Sequence, residues 1–350
     1  MPEQPDKAKL LAWLQTALEL ELATIPPYLV ALLSIKLPGN REPAELIRSV
    51  MIEEMLHLAL VANLINSLGA RPRLNRHAIP HYPLRMRFEG GEFEDRQFPI
   101  NLAPFSADAI ETFMKIEQPL QRAPVRATLA VGIDVPALTI GEFYSSIVTL
   151  LEALEQGSRS TIFIGEAHRQ IQQDYYWSGG GKIVAVHNLA SAKEAMALVI
   201  AQGEGAWPQP DASAAGFGDA VRMGHYYRFK EIACKRRYQA SDDPAGLPTG
   251  APISVDYSAV YPIKMNARAS DYPPGSRLSN LNTAFNIRYT AMLLELNEVM
   301  NGTPKTLYTA IMDSMHELTP TAHEMMKVVI DGDPQGYTGC PTFDWVEGYG

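Results

Sequence analysis

The chain has 350 residues, 46% hydrophobic and 20% charged, with a formal net charge of −9 at neutral pH. That balance is typical of a folded chain of one or two domains, and the acidic excess argues against nucleic acid or an anionic membrane surface as a partner. The two cysteines, Cys234 and Cys340, make neither a disulfide framework nor a zinc-type spacing.

In chain order, the opening residues lack a basic stretch leading into an apolar one, so no signal peptide is expected. No uninterrupted run of about 18 apolar residues suggests a membrane span, and a reducing cytoplasm is the expected location. A first long helix is predicted over 7–36, with Pro26-Pro27 inside it as a source of a kink. A second runs over 43–68 and stops at Gly69. Residues 71–104, rich in Pro, Arg and aromatics, read as extended segments or a hairpin. A short helix over 106–117 starts at a Ser cap, and a third long helix covers 141–156. Gly179-Gly180-Gly181 and the following Lys182 to Val186 read as a turn and a short strand; the Gly-Lys-Ser/Thr of a phosphate loop is missing. Helices over 191–204 and 219–237 follow, then a proline-rich wrap over 241–276 and two closing helices, 278–300 and 304–329. The expected class is mostly α: a helical bundle over 1–240, with residues 241–350 wrapping and packing on the same domain.

The first two helices carry charge where a buried stripe should be apolar. At alternating spacings of three and four residues, one reads Leu14, Leu18, Glu21, Ile25, Tyr28, Leu32, and the other Ile47, Val50, Glu54, His57, Val61, Leu64, Leu68. Residues three and four apart share a helix face. A carboxylate on a core-facing stripe must be paired or bind a metal, because an uncompensated buried charge is too costly. One Glu from one helix and a Glu-x-x-His from its neighbour make half of the di-metal carboxylate site of a four-helix bundle. Glu53 competes with Glu54 as the partner of His57.

Such a site takes four carboxylates and two histidines. The candidates for the remainder are Glu142 at the start of the third long helix, Glu204 between two glycines, and His225, which shares a face with Val221 and Ile232; Glu231 is a reserve. Each has an ordinary alternative. A Glu in a first turn favours the helix dipole without any metal, Glu204 suits a helix-end loop, and a lone core histidine is served by a hydrogen bond. Arg228 is the best cation to pair with the acids. Tyr28, Tyr144, Tyr226 and Tyr227 fall close to the site, where they line a pocket, donate hydrogen bonds or carry a radical, or else pack at its edge.

These segments resemble a known family. Glu19-Leu20-Glu21-Leu22-Ala23-Thr24-Ile25-Pro26-Pro27-Tyr28-Leu29 and Glu53-Glu54-Met55-Leu56-His57-Leu58-Ala59-Leu60 are similar to the first- and second-helix signatures of the ferritin-like domain family named for iminophenyl-pyruvate dimer synthase. The resemblance continues through Leu102-Ala103-Pro104-Phe105, Thr139 to Tyr144, Gln202 to Gly205, His225 to Phe229 and Gly339 to Phe343. It implies a ferritin-like four-helix bundle, a non-haem metal centre and a setting in secondary metabolism. The proteins that name the family are much longer, and Trp207 stands where a Glu-x-x-His beginning at Glu204 would need histidine, which tells against a symmetric pair of metal positions.

The leading functional expectation is an O2-activating oxidoreductase with two iron ions, or iron with manganese, since carboxylate and imidazole ligands without thiolates suit these metals. Its substrate is expected to be a small, amino-acid-derived or aromatic molecule, and a homodimer is a candidate assembly. The alternatives are an iron-handling ferroxidase or storage protein, a synthase coupling aromatic imines, and a metal-free helical interaction protein.

Overall fold

Asp6 opens the first helix by accepting from the amide of Ala8 at 2.8 Å, satisfying one of the donors a helix start leaves unpaired. This helix, α1 (Lys7–Ser34), contains Pro26 and Pro27 and stays helical on both sides of them. Pro27 has no N–H for the carbonyl of Ala23 four residues back. The Tyr82 hydroxyl donates to that carbonyl instead, at 2.7 Å. A short link leads to α2 (Arg41–Ser67), which packs along α1. The computed structural model describes residues 6–88, 97–118, 125–126, 140–176, 179–205, 223–310 and 314–348.

Both helices are long and apolar enough to cross a membrane by length and composition, with mean hydropathies of 1.3 and 1.2 over their most apolar stretches. Neither is an uninterrupted apolar run, since Glu19 and Glu21 punctuate α1, and Glu53, Glu54 and His57 punctuate α2. However, 83% and 78% of those stretches are buried inside the protein, which makes them the centre of a helical core.

Around this pair stand α3 (Ala107–Ile116), α4 (Ile140–Gly157), α5 (Leu189–Ile200), which runs on into a π-helical turn at Ala201–Gly205, and α6 (His225–Cys234). Ser106 caps α3 by accepting from Ala109 at 3.1 Å. The C-terminal third supplies α7 (Arg277–Asn301), the single turn α8 (Leu307–Ala310) and α9 (His316–Met326). Over the closing helix expected at 304–329, a 3-10 turn at Pro304–Thr306 precedes α8, α9 covers His316–Met326, and residues 311–313 lie outside the described set.

The β element is small. Strand β1 (Leu84–Phe88) pairs antiparallel with β2 (Gln97–Ile100), in the register Leu84 opposite Ile100, and on its other side with β3 (Val125–Arg126). The strand expected at 182–186 does not form. Its backbone groups are served by side-chain amides: Asn63 Nδ2 donates to the Val184 carbonyl at 3.0 Å, the Ile183 amide donates to Gln173 at 3.2 Å, and the Val186 amide donates to Gln170 at 2.8 Å. With those groups already satisfied, the segment needs no neighbouring strand.

Two apolar clusters share α1 and α2. One joins Leu14, Leu18 and Leu22 of α1 to Leu56 and Leu60 of α2, Ile147 of α4, Met196 of α5, Leu293 of α7 and Met325 of α9. The other joins Tyr28 of α1 to Ile47 and Val50 of α2, Phe113 of α3 and Phe229 of α6. On α2 the cluster changes between Val50 and Leu56, where Glu53 and Glu54 interrupt the stripe, and this polar layer meets α1 at Thr24, whose hydroxyl lies 3.0 Å from Glu54.

Candidate metal centre

Glu21 on α1, Glu54 and His57 on α2, Glu117 at the C-terminal end of α3 and His225 at the first position of α6 come together in that polar layer, none more than 4% exposed. Two groups of potential ligand atoms result, Glu21–Glu54–His57 and Glu54–Glu117–His225, each with its atoms within 4.8 Å of one another. Glu54 belongs to both. His57 Nδ1 lies 3.4 Å from Glu21 Oε2. His225 Nδ1 lies 2.8 Å from Glu54 Oε1 and 3.3 Å from Glu117 Oε2.

Hydrogen bonds fix which nitrogen of each ring faces inward. Gln202, in the π-turn after α5, donates its Nε2 to the Gly180 carbonyl at 2.6 Å, leaving its Oε1 as the acceptor 3.0 Å from His57 Nε2. The Gln202 carbonyl therefore fixes His57 Nε2 as the donor, so that in the neutral ring the Nδ1 lone pair faces Glu21. At the other ring, Nε2 lies 3.0 Å from Glu53 Oε2. Glu53 is in turn gripped at both oxygens by Arg228 Nη2, each at 2.9 Å, while Arg228 Nε donates to the Met223 carbonyl and Nη1 to Ser49. His225 Nδ1 is buried between two carboxylates without a hydrogen bond of acceptable geometry. An unpartnered buried ring nitrogen aimed at carboxylate oxygens is what a cation between them would satisfy. The donor set, carboxylate oxygens and imidazoles without thiolate, suits iron or manganese.

Hydroxyl groups tether the carboxylates. Tyr28 donates to Glu117 Oε1 at 2.5 Å, Tyr144 of α4 donates to Glu21, and the Thr24 hydroxyl sits 3.0 Å from Glu54 Oε2. Burial, then the charges of Glu117 and Glu21, push the Glu54 carboxyl up to about 8. Burial would raise Glu21 and Glu53 too, but His57 holds the first below the usual carboxylate range, and Arg228 with His225 does so for the second. Burial opposes charge on the histidines, yet Glu117 and Glu54 raise His225 well above its ordinary value and Glu21 raises His57. Without a cation, the cluster neutralises its charge with protons.

A small cavity of about 20 Å³, room for about one water, opens beside this layer, with Glu21, Glu54, His57, Glu117 and Tyr144 in its wall. The rest of its described lining is apolar apart from Thr24: Leu20, Ile140, Gly141, Val199, Ile200 and Gly203.

The structure thus gathers Glu21, Glu54, His57 and His225 at one place, with Tyr28, Tyr144 and Arg228 in contact with their neighbours or carboxylates. It does not bring Glu142 there. On α4 the inward residue is Tyr144, and two positions along a helix turn a side chain by about 200°, leaving Glu142 half-buried on another face. Glu204 lies in the π-turn, and its side chain falls outside the described residues. Trp207 lies outside them altogether. Tyr226 packs edge-on against Tyr227, ring centroids 5.3 Å apart, in a separate cluster with Met223 and Tyr238. Glu231 pairs with Arg237 at 2.9 Å and accepts from the Tyr238 amide, so it serves the end of α6. The ligand candidate missed from sequence is Glu117. It follows Ile110 and Phe113 on the apolar face of α3, the same kind of charged interruption that singles out Glu21, but at the end of a short helix, which has no apolar residue beyond it to complete the stripe. Tyr28, Phe113 and Phe229 form an aromatic contact, with centroids 4.6–5.3 Å apart, that presses α3 against α1 and α6 and delivers Glu117.

A family model described as ferritin-like matches residues 14–234. The solved structure of a ferritin-like protein from Caulobacter vibrioides is similar over 97% of this chain and 100% of that one, with a TM-score of 0.61 and 21% sequence identity, a likeness of fold. No protein of curated function matches the chain. The family match supports the coarser half of the resemblance seen in the motifs and leaves the iminophenyl-pyruvate dimer synthase type aside. Because the matched span runs from Leu14 to Cys234 and takes in all five clustered residues, this chain belongs to the ferritin-like family.

Proposed function

We propose that this protein is a non-haem di-metal oxidase or oxygenase that uses O2 on a small organic substrate, with iron as the metal and manganese as its substitute. The observation that carries this reading is the pair of ligand groups sharing Glu54 and opening on a largely apolar cavity. Glu21, Glu54 and His57 would hold one ion, and Glu54, Glu117 and His225 the other. When bound, the metal pair supplies the electrons that O2 chemistry requires. The chain's own residues set the surroundings: Tyr28 and Tyr144 hold protons at the Glu117 and Glu21 carboxylates, Arg228 balances Glu53, and the aliphatic wall limits water at the site. The resemblance of the α1 and α2 motifs to the iminophenyl-pyruvate dimer synthase type supports an aromatic or amino-acid-derived substrate in secondary metabolism.

The test begins with metal content per chain in protein purified without added metal. A value near two supports the reading, and a value near zero removes it. Oxygen uptake by iron-loaded protein with aromatic amino-acid derivatives then separates the two metal-dependent classes. Uptake that depends on the organic molecule supports an oxidase; turnover of excess Fe(II) with no such dependence makes the protein an iron handler.

A further inference from the structure

We propose that the two metal positions are unequal by construction: the His225 position is the tight, permanent one, and the His57 position is the weaker, exchangeable one. This rests on the two-metal reading above and goes beyond it.

The inequality lies behind the two rings. His225 Nε2 meets a carboxylate, Glu53, whose charge is anchored by Arg228 at both oxygens. A carboxylate behind an imidazole raises its basicity and strengthens it as a donor. His57 Nε2 meets only the neutral amide of Gln202. That amide depends on the tri-glycine turn, since its Nε2 donates to the Gly180 carbonyl at 2.6 Å. Gly179, Gly180 and Gly181 all have positive φ, 74°, 77° and 146°, a run that suits glycine. The turn also lies hard against the ligand-bearing part of α2. A Cβ on Gly180 would sit 3.1 Å from Ile52 and 3.3 Å from Glu53, and one on Gly181 would sit 3.0 Å from Leu56 and 3.1 Å from Gln202 Nε2. The glycine run is therefore the template that sets Gln202, and through it His57.

The small cavity touches both positions: its wall holds Glu21, Glu54 and His57 of one and Glu54 and Glu117 of the other, while His225 is outside its described lining, so the inequality lies in what stands behind each ring. Gln202 and Glu53 are positioning residues that act through the histidines.

The test is calorimetric titration of the metal-free protein with Mn(II). The wild type should bind two ions in two steps of distinct affinity. Gln202→Leu should weaken the second step by about 10–100-fold and leave the first unchanged, the usual effect of losing a partner behind a metal-bound histidine. Glu53→Gln should weaken the first step. Because Glu53→Gln strands Arg228 and risks misfolding, Gln202→Glu provides a gain that misfolding cannot imitate: it gives His57 a carboxylate partner and should strengthen the second step. Two ions bound in a single class of sites, or Gln202→Leu acting on the tighter step, would overturn the proposal. Absence of any Mn(II) or iron binding would instead overturn the two-metal reading beneath it.

Discussion

Glu54 sits between two other carboxylates and beside His225, so its proton is the one a metal must displace. Its carboxyl is pushed up to about 8 from an ordinary 4.5, and the metal-free native state holds that proton where the unfolded chain has lost it. The stability this group contributes is complete below about pH 4.5 and is lost as pH rises through about 8. The raised histidines act in the same direction on the alkaline side. The melting temperature of the metal-free protein should therefore fall between about pH 6 and about pH 8.5, and Glu54→Gln, which cannot ionise, should flatten the fall. An equally steep fall in the variant would contradict this assignment. Metal affinity should rise over the same range, as the cation displaces the proton. At neighbouring positions, Glu117→Ala should reduce bound metal from two ions toward one, and Glu19→Ala should keep both. The Glu19 side chain points about 200° from that of Glu21 and accepts from Gln15 at 2.9 Å. Metal analysis of the purified variants checks both outcomes.

At the scale of elements, α1 carries its ligand one turn before a pair of prolines and its tyrosine tether just after them. The helix tolerates this because Tyr82 satisfies the Ala23 carbonyl that Pro27 leaves without a partner. Tyr82→Phe should cost about 1 kcal/mol, the ordinary worth of a hydrogen bond. In a Pro27→Ala background, whose restored amide reaches the same carbonyl, the cost should shrink. Denaturant melts of the two single variants and the double variant measure that coupling, and additive costs would mean the two groups do not share the acceptor. The short helix α3 does for Glu117 what α1 does for Glu21, through the contact of Phe113 with Tyr28 and Phe229.

For the molecule as a whole, we propose that residues 241–350 and the bundle unfold together. Asn66 of α2 donates to the Met300 carbonyl at 2.6 Å, Asn301 of α7 donates to the Pro72 carbonyl at 2.8 Å, and the Leu74 amide donates to Asn297 at 2.9 Å. One apolar cluster runs from Leu10 of α1 to Phe343 near the tail. Calorimetry should show a single transition that moves as a unit when metal is added. Two resolved transitions, only one shifted by metal, would separate the C-terminal part from the bundle.

The sequence by itself determined the elements whose signal is local. Helical periodicity placed α1 and α2, the Ser cap placed α3, and the charged interruption of an apolar stripe exposed Glu21, Glu54 and His57, because burying charge is costly wherever the chain folds. His225 follows from the sequence only through the count of donors such a site still needs. What tertiary structure alone decided is which distant groups meet. Glu117 enters from a short helix, Tyr144 displaces Glu142 because α4 turns that face inward, and Tyr226 turns away into its own aromatic cluster. The extended segment after the glycines finds its partners in the amides of Asn63, Gln170 and Gln173, so no strand forms, and the glycine turn itself acquires a role only where it meets Gln202. Periodicity reports which face of an element is buried, but the rotation and approach of each helix against its neighbours follow from packing across the whole core, which no local stretch of sequence contains.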